Sequence, residues 1–103
     1  MADERGRSRR ERIFERDRFC CVYCGRNLPA ADLTLDHVEP RMRGGDHSAG
    51  NLVTCCIDCN AAKAGQAAWV FLARRPELRA NFLELATAVW PRLRRAVIEA
   101  AQD

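Results

Sequence analysis

Four of the six cysteines in this chain form two Cys-x-x-Cys pairs, a spacing typical of metal sites. Cys21 and Cys24 make the first pair, and Cys56 and Cys59 make the second. Each pair lets one turn bring two thiolates to a single ion, and two pairs complete the tetrahedral shell that Zn²⁺ prefers. Because such a shell leaves no open coordination position, the spacing predicts a structural zinc ion rather than a catalytic one.

Disulfides or redox-active thiols are the alternative explanation for these pairs. The first residues are charged and contain no apolar secretory segment, so we expect a cytoplasmic protein whose thiols stay reduced. Six cysteines in 103 residues also fall below the density of about 8–10 % that marks disulfide scaffolds. Cys20 and Cys55, each directly before a pair, offer either an alternative ligand register or small buried hydrophobic side chains.

A longer pattern runs between the cysteine pairs and just beyond them. It consists of Asp36-His37, then Gly44-Gly45, then Asn51-Leu52, then Cys56-x-x-Cys59-Asn60-x-x-Lys63. In order and spacing it resembles the zinc-knuckle branch of the HNH endonuclease family, over residues 19–63. The resemblance implies an α+β fold: a small ββα-metal (His-Me finger) core with a four-cysteine zinc site and flanking helices.

The same resemblance implies a metal-dependent endonuclease that hydrolyses DNA phosphodiester bonds and leaves a 5′-phosphate and a 3′-hydroxyl. In that family pattern Asp36 and Asn60 bind the catalytic metal, and His37 activates the attacking water. Asn51 fixes the loop and orients His37. The position of Asn60 is often a histidine in the family, and asparagine is a variant that the family also uses.

The chemistry of these residue types agrees with phosphodiester hydrolysis. A histidine with an unperturbed pKa of about 6.5 is mostly neutral at physiological pH, so His37 can act as a general base. Asp36 and Asn60 offer hard oxygen ligands that suit Mg²⁺ or Mn²⁺ better than Ni²⁺ or Zn²⁺. Adjacent strand residues face opposite sides, so Asp36 and His37 share a site only if the strand ends or bends there.

Three basic residues are candidates for binding the substrate phosphates. Lys63 lies one helical turn beyond Asn60, and Arg41 and Arg43 follow the predicted strand. The alternative for each is an ordinary solvated side chain. His47 lies in a polar loop without an evident partner and is not assigned to the site.

A second function remains open, namely a zinc-stabilised nucleic-acid-binding module without independent cleavage activity. Thiol redox chemistry is a third, but it requires the two cysteine pairs and the longer pattern to coincide by chance. The net charge of +3 is only a weak indication of a nucleic-acid partner. The set of Asp36, His37, Asn51 and Asn60 argues against the binding module, because a pure binder has no use for a base beside two metal ligands. The resemblance to the endonuclease family implies DNA as the partner.

Local signals predict the elements that position these residues. Ser8 and Glu11 form a capping box that opens a helix over residues 8–18. Residues 19–27 form a turn-rich knuckle, residues 33–38 form a strand that Pro40 ends, and residues 52–54 form a second strand. Residues 56–64 have the length and alanine content of a helix.

Helical periodicity dominates from Gln66 onward and predicts two or three short helices, with Pro76 and Pro91 each beginning one. These helices cover the core, or they meet a second copy of the chain in a homodimer. Their apolar faces comprise Trp69, Leu72 and Ala73, then Leu78, Phe82, Leu85 and Val89.

The chain is short enough for a single domain with three parts. These are an N-terminal basic helix over residues 1–18, a zinc-stabilised nuclease core over residues 19–65, and a helical tail over residues 66–103. No stretch approaches the roughly 18 apolar residues of a membrane span, so we expect no membrane partner.

Overall fold

The structure, a computed structural model, describes residues 7–102 and begins with helix α1, Arg9–Arg16. The predicted capping box is present. The Ser8 hydroxyl accepts a hydrogen bond from the Glu11 amide, and the Glu11 carboxylate accepts one from the Ser8 amide, each at 3.1 Å. Residues 1–6 of the predicted N-terminal part lie outside the described residues.

An antiparallel hairpin forms the centre of the fold, as expected for a ββα core. Strand β1 spans Leu33–His37 and strand β2 spans Leu52–Cys56, with Leu33 opposite Cys56 and His37 opposite Leu52. Helix α2, Ile57–Lys63, follows β2 directly. The predicted α+β fold class is therefore confirmed, and the second strand is two residues longer than the sequence pattern indicated.

Helix α1 is fixed to the hairpin through charged side chains. Asp17 accepts a hydrogen bond from the Thr54 amide at 3.0 Å. Arg16 donates to the Leu52 carbonyl at 2.7 Å, and Arg10 donates to the Leu33 carbonyl at 2.8 Å. Two arginines of the predicted basic helix therefore serve the fold, since their guanidinium groups satisfy strand carbonyls.

Three helices complete the chain: α3, Ala68–Leu72, α4, Pro76–Leu85, and α5, Pro91–Ala100. Pro76 and Pro91 occupy first-turn positions, as predicted. Val89 is buried but lies between α4 and α5, because Ala86 leaves the helical conformation with φ −88° and ψ 57°. The apolar stripe predicted for one helix is thus shared between α4 and the connection that follows it.

The C-terminal helices pack on the hairpin and the cysteine knuckle of the same chain. The Ala68 amide donates to the Val38 carbonyl at 2.9 Å, and the Trp90 amide donates to the Gly50 carbonyl at 3.0 Å. The buried Tyr23 ring stacks on Phe82 at 5.8 Å between centroids. Within residues 7–102, no helix is both long enough and apolar enough to span a membrane.

Candidate active site

The four predicted zinc ligands come together in the folded chain. The sulfur atoms of Cys21, Cys24, Cys56 and Cys59 all lie within 4.8 Å of one another. Cys24 Sγ and Cys56 Sγ are 3.8 Å apart, which matches the separation of about 3.8 Å between two sulfurs at 2.3 Å from a tetrahedral zinc ion. The donor set therefore fits zinc in number, type and spacing.

Neighbouring groups donate hydrogen bonds to three of the four cluster sulfurs. Cys55 bonds to Cys21 and, together with the turn amides, lowers the pKa of Cys21 to about 4 despite its burial. Arg26 donates to Cys24 Sγ at 3.4 Å and to Cys56 Sγ at 3.3 Å. Cys55 is buried, whereas Cys20 is only half-buried and its thiol bonds to the Arg18 carbonyl.

Asp36 lies at the end of β1 and is almost fully buried, with 6 % of its surface exposed. The Tyr23 hydroxyl donates to Oδ2 at 2.7 Å, and the Lys63 ammonium lies 3.1 Å from Oδ1. Burial raises the pKa of Asp36, while the Lys63 charge and the Tyr23 hydrogen bond act in the opposite direction. The two partners thus hold the carboxylate in place and compensate part of the cost of burying it.

The Lys63 side chain is buried, whereas a lysine that binds substrate phosphates is expected at the surface. Its side chain is only 2 % exposed, and its ammonium bonds to Asp36 and to the His37 carbonyl, both at 3.1 Å. A buried ammonium requires a charge partner, and Asp36 at the end of β1 supplies one. Lys63 therefore stabilises the end of β1, which carries the candidate catalytic residues Asp36 and His37.

His37 is half-buried at the last position of β1. Its Nε2 lies 3.1 Å from Nδ1 of His47, a residue that the sequence left unassigned. Burial and the neighbouring His47 lower the pKa of His37, which favours the neutral imidazole. His37 is the last residue of β1 and still pairs with Leu52, so the strand ends directly after the two candidate side chains and not between them.

A cavity of about 360 Å³ opens beside the end of β1. Asp36, His37, Asn60, Lys63 and Arg41 all line it. Among residues 7–102, the Asn60 side chain has no hydrogen-bond partner, so its amide oxygen is available to a ligand. Each Asp36 oxygen also retains a lone pair beyond the bond it accepts, so this donor set fits a hard divalent cation.

Asn51 is fully buried and fixes the loop between the strands. Its side chain accepts from the Glu39 amide at 2.8 Å and donates to the carbonyls of Glu39 and Asp46 at 3.0 and 2.8 Å. It makes no hydrogen bond to His37, so any effect on that ring passes through the loop. Arg41 and Arg43 lie on this loop in a 3₁₀ turn, and both are exposed.

Sequence reasoning missed two residues at this site. Tyr23 lies between Cys21 and Cys24, and the knuckle carries its hydroxyl to Asp36. The only signal for it was a tyrosine inside a predicted knuckle. His47 lies in the loop that follows β1, after the Gly44-Gly45 pair. The available signal was a second imidazole in the loop that begins at the candidate base His37.

Comparison with known proteins gives a match to a family model and a match to a solved structure. Residues 21–68 match the family model described as HNH endonuclease. The chain is similar to part of the Type II-C Cas9 enzyme from Actinomyces naeslundii, with a TM-score of 0.65 over 91 % of this chain at 24 % identity. That match spans 11 % of the Cas9 chain, so it concerns the fold of one portion. No curated protein matches the sequence significantly. The resemblance to the HNH endonuclease family that the sequence predicts is therefore confirmed for residues 21–68.

Proposed function

We propose that this chain is a metal-dependent endonuclease that hydrolyses DNA phosphodiester bonds, with His37 as the general base. The observation that carries the proposal is the shared cavity, which Asp36, His37 and Asn60 line together at the end of β1. A base beside two hard-oxygen ligands is the combination that hydrolysis of an anionic diester requires. The family match over residues 21–68 supports the same class of reaction.

Asp36 and Asn60 would hold the divalent ion, for which Mg²⁺ or Mn²⁺ is the best fit. Such an ion supplies charge neutralisation at the phosphate oxygens. His37 takes the proton of the attacking water, and its lowered pKa keeps the ring able to accept it at neutral pH. Lys63 and Tyr23 keep the Asp36 carboxylate oriented towards the cavity.

The exposed guanidinium groups of Arg41 and Arg43 would contact the DNA backbone beside the cavity. We assign Lys63 to the support of Asp36 and not to the DNA contact, since its ammonium is buried against that carboxylate. The four-cysteine cluster would hold a structural zinc ion that joins the knuckle to the start of α2.

The test is cleavage of supercoiled plasmid by zinc-loaded protein with Mg²⁺, with Mn²⁺, or with no added cation. His37→Ala is purified in parallel, and its zinc content and thermal unfolding are measured. We expect cation-dependent nicked or linear DNA from the unmodified chain and at least a hundredfold less from His37→Ala. His37→Ala should keep the same zinc content and melting temperature.

Undiminished nicking by His37→Ala would overturn the role of His37. DNA binding without cleavage under every cation would overturn the hydrolytic proposal and support the binding module. A gel-shift assay on the same preparations separates these outcomes.

A further inference from the structure

His47 and His37 face each other across the loop that joins the strands. Their facing nitrogens, Nε2 of His37 and Nδ1 of His47, are 3.1 Å apart, and the ring planes are tilted by 43°. A separation of 3.1 Å between two ring nitrogens is a hydrogen-bond distance. One ring nitrogen therefore carries a proton and donates a hydrogen bond to the lone pair of the other.

The backbone on both sides of His47 is held by hydrogen bonds. Arg9 of α1 donates to the His47 carbonyl at 3.1 Å, and buried Asn51 donates to the preceding Asp46 carbonyl at 2.8 Å. The Ser48 amide also donates to the Asp46 carboxylate at 3.0 Å. These three hydrogen bonds fix the backbone position from which the His47 ring reaches His37.

We propose that His47 is a positioning residue: its Nδ1 accepts a hydrogen bond from the Nε2–H of His37, which leaves Nδ1 of His37 unprotonated as the basic nitrogen. This inference rests on the proposed role of His37 as general base. His37 Nδ1 has no hydrogen-bond partner among residues 7–102, and the ring lines the cavity. A base needs a free lone pair there, and the partner of one imidazole nitrogen decides which nitrogen carries the proton.

The direction of the hydrogen bond follows from the tautomers that it requires. If His37 donates, both neutral rings carry their proton on Nε2, which is the more stable tautomer of an isolated histidine. If His47 donates, both rings carry it on Nδ1, and His37 then has no lone pair at its remaining nitrogen. Only the first arrangement combines the favoured tautomers with a working base.

The first test is independent of nuclease activity. The chain contains only two histidines, so nitrogen-15 labelling of histidine gives four ring signals that NMR resolves and assigns. At a pH where both rings are neutral, we expect a proton on His37 Nε2 and none on His37 Nδ1 or His47 Nδ1. A proton on His37 Nδ1, or facing nitrogens that share a bound metal ion and carry no proton, would overturn the proposal.

The second test compares His47→Ala with His47→Asn in plasmid cleavage. The Asn carboxamide oxygen lies near the place of imidazole Nδ1 and can accept the same hydrogen bond from the Nε2–H of His37. We expect kcat to fall about tenfold in His47→Ala with KM unchanged, and to recover most of that loss in His47→Asn. Exchange of the His37 Nε2 proton with solvent should be faster in His47→Ala and restored in His47→Asn.

The kcat values of His47→Ala and His47→Asn decide whether His47 positions His37. Equal kcat in His47→Ala and the unmodified chain, or equal loss in both variants, would overturn the positioning role. If the unmodified chain does not cleave DNA, the proposed function fails, and the NMR measurement still decides whether His47 sets the tautomer of His37.

Discussion

The ammonium group of Lys63 lies 3.1 Å from Oδ1 of Asp36, and both side chains are buried. Lys63 belongs to the last turn of α2, and Asp36 lies near the end of β1. The pair therefore ties the helix that carries Asn60 to the strand that carries His37. Neither charge has ready access to water, so the loss of one partner leaves the other uncompensated.

We predict that Lys63→Met destabilises the folded chain by about 3–5 kcal/mol at neutral pH, because it leaves the Asp36 carboxylate buried without a counter-charge. Urea unfolding of zinc-loaded protein measures this loss. The double variant Asp36→Asn with Lys63→Met removes both charges and should recover part of the stability. Equal stability of Lys63→Met and the unmodified chain would contradict the prediction, as would a double variant less stable than Lys63→Met.

The same pair predicts a pH dependence. Burial already raises the pKa of Asp36, and removal of Lys63 takes away the largest opposing effect. A folded-state pKa above the unfolded-state value means that the folded chain binds the proton first, so stability is lost as pH rises through the folded-state pKa. The destabilisation caused by Lys63→Met should therefore be greatest at neutral pH and shrink as pH falls.

Urea unfolding of Lys63→Met and the unmodified chain at several pH values, with zinc present throughout, gives this difference directly. The double variant with Asp36→Asn has no carboxylate at this position and serves as the control. Its stability relative to the unmodified chain should lack the recovery at low pH. A Lys63→Met difference that is constant across the pH range would contradict the assignment to Asp36.

Features with local signals could be predicted from the sequence. The capping box of Ser8 and Glu11, the helix starts at Pro76 and Pro91, and the cysteine pairs all depend on residues close in the chain. The sequence also predicted that the two cysteine pairs come together in space, because a tetrahedral zinc ion takes four ligands and each pair supplies two. Asp36, His37 and Asn60 line one cavity, as the family resemblance implied.

Side-chain partners between distant segments could not be predicted in this way. A lysine one turn beyond Asn60 has the same local sequence whether its ammonium reaches solvent or turns inward to Asp36. The contact of Tyr23 with Asp36 depends on how the knuckle packs against β1. The contact of His47 with His37 depends on the path of a loop that Asn51 and Arg9 fix. Each of these contacts is a property of the packed structure.

We predict that Gly45→Ala disrupts the loop between the strands. A Cβ atom at Gly45 would lie 1.9 Å from the Glu39 carbonyl oxygen and 2.9 Å from Asn51 Nδ2. Asn51 donates to that same carbonyl, so the backbone must shift and the buried amide loses a partner. We expect a loss of about 1–3 kcal/mol in stability, measured by thermal unfolding, and reduced plasmid cleavage.

Gly65→Ala is the matched control, because a Cβ atom there meets no neighbouring atom within 4 Å. Its melting temperature should stay close to that of the unmodified chain. If Gly45→Ala melts at the temperature of Gly65→Ala, the close approach at Gly45 does not constrain the loop.

The cysteine cluster predicts that folding depends on one zinc ion per chain. Zinc binding contributes about 10–16 kcal/mol in small zinc domains, which equals or exceeds the whole stability of about 5–15 kcal/mol of a typical domain. Cys24→Ser removes one of the four thiolates, and a serine hydroxyl is a poor zinc ligand. We expect this variant to lose most of its zinc, measured by mass spectrometry of the metal, and its cooperative unfolding transition.

Cys20→Ser is the matched control, since Cys20 lies outside the cluster and its thiol hydrogen-bonds to the Arg18 carbonyl and the Asn27 side-chain amide. It should keep one zinc ion per chain and the melting temperature of the unmodified protein. Full zinc content and unchanged unfolding in Cys24→Ser would show that this thiolate is not a ligand. Equal zinc loss in both variants would extend the ligand set to Cys20, whereas a zinc-free chain with disulfides would refute the metal site. The cluster geometry favours the first pattern, because only four sulfurs among the described residues lie within reach of one ion.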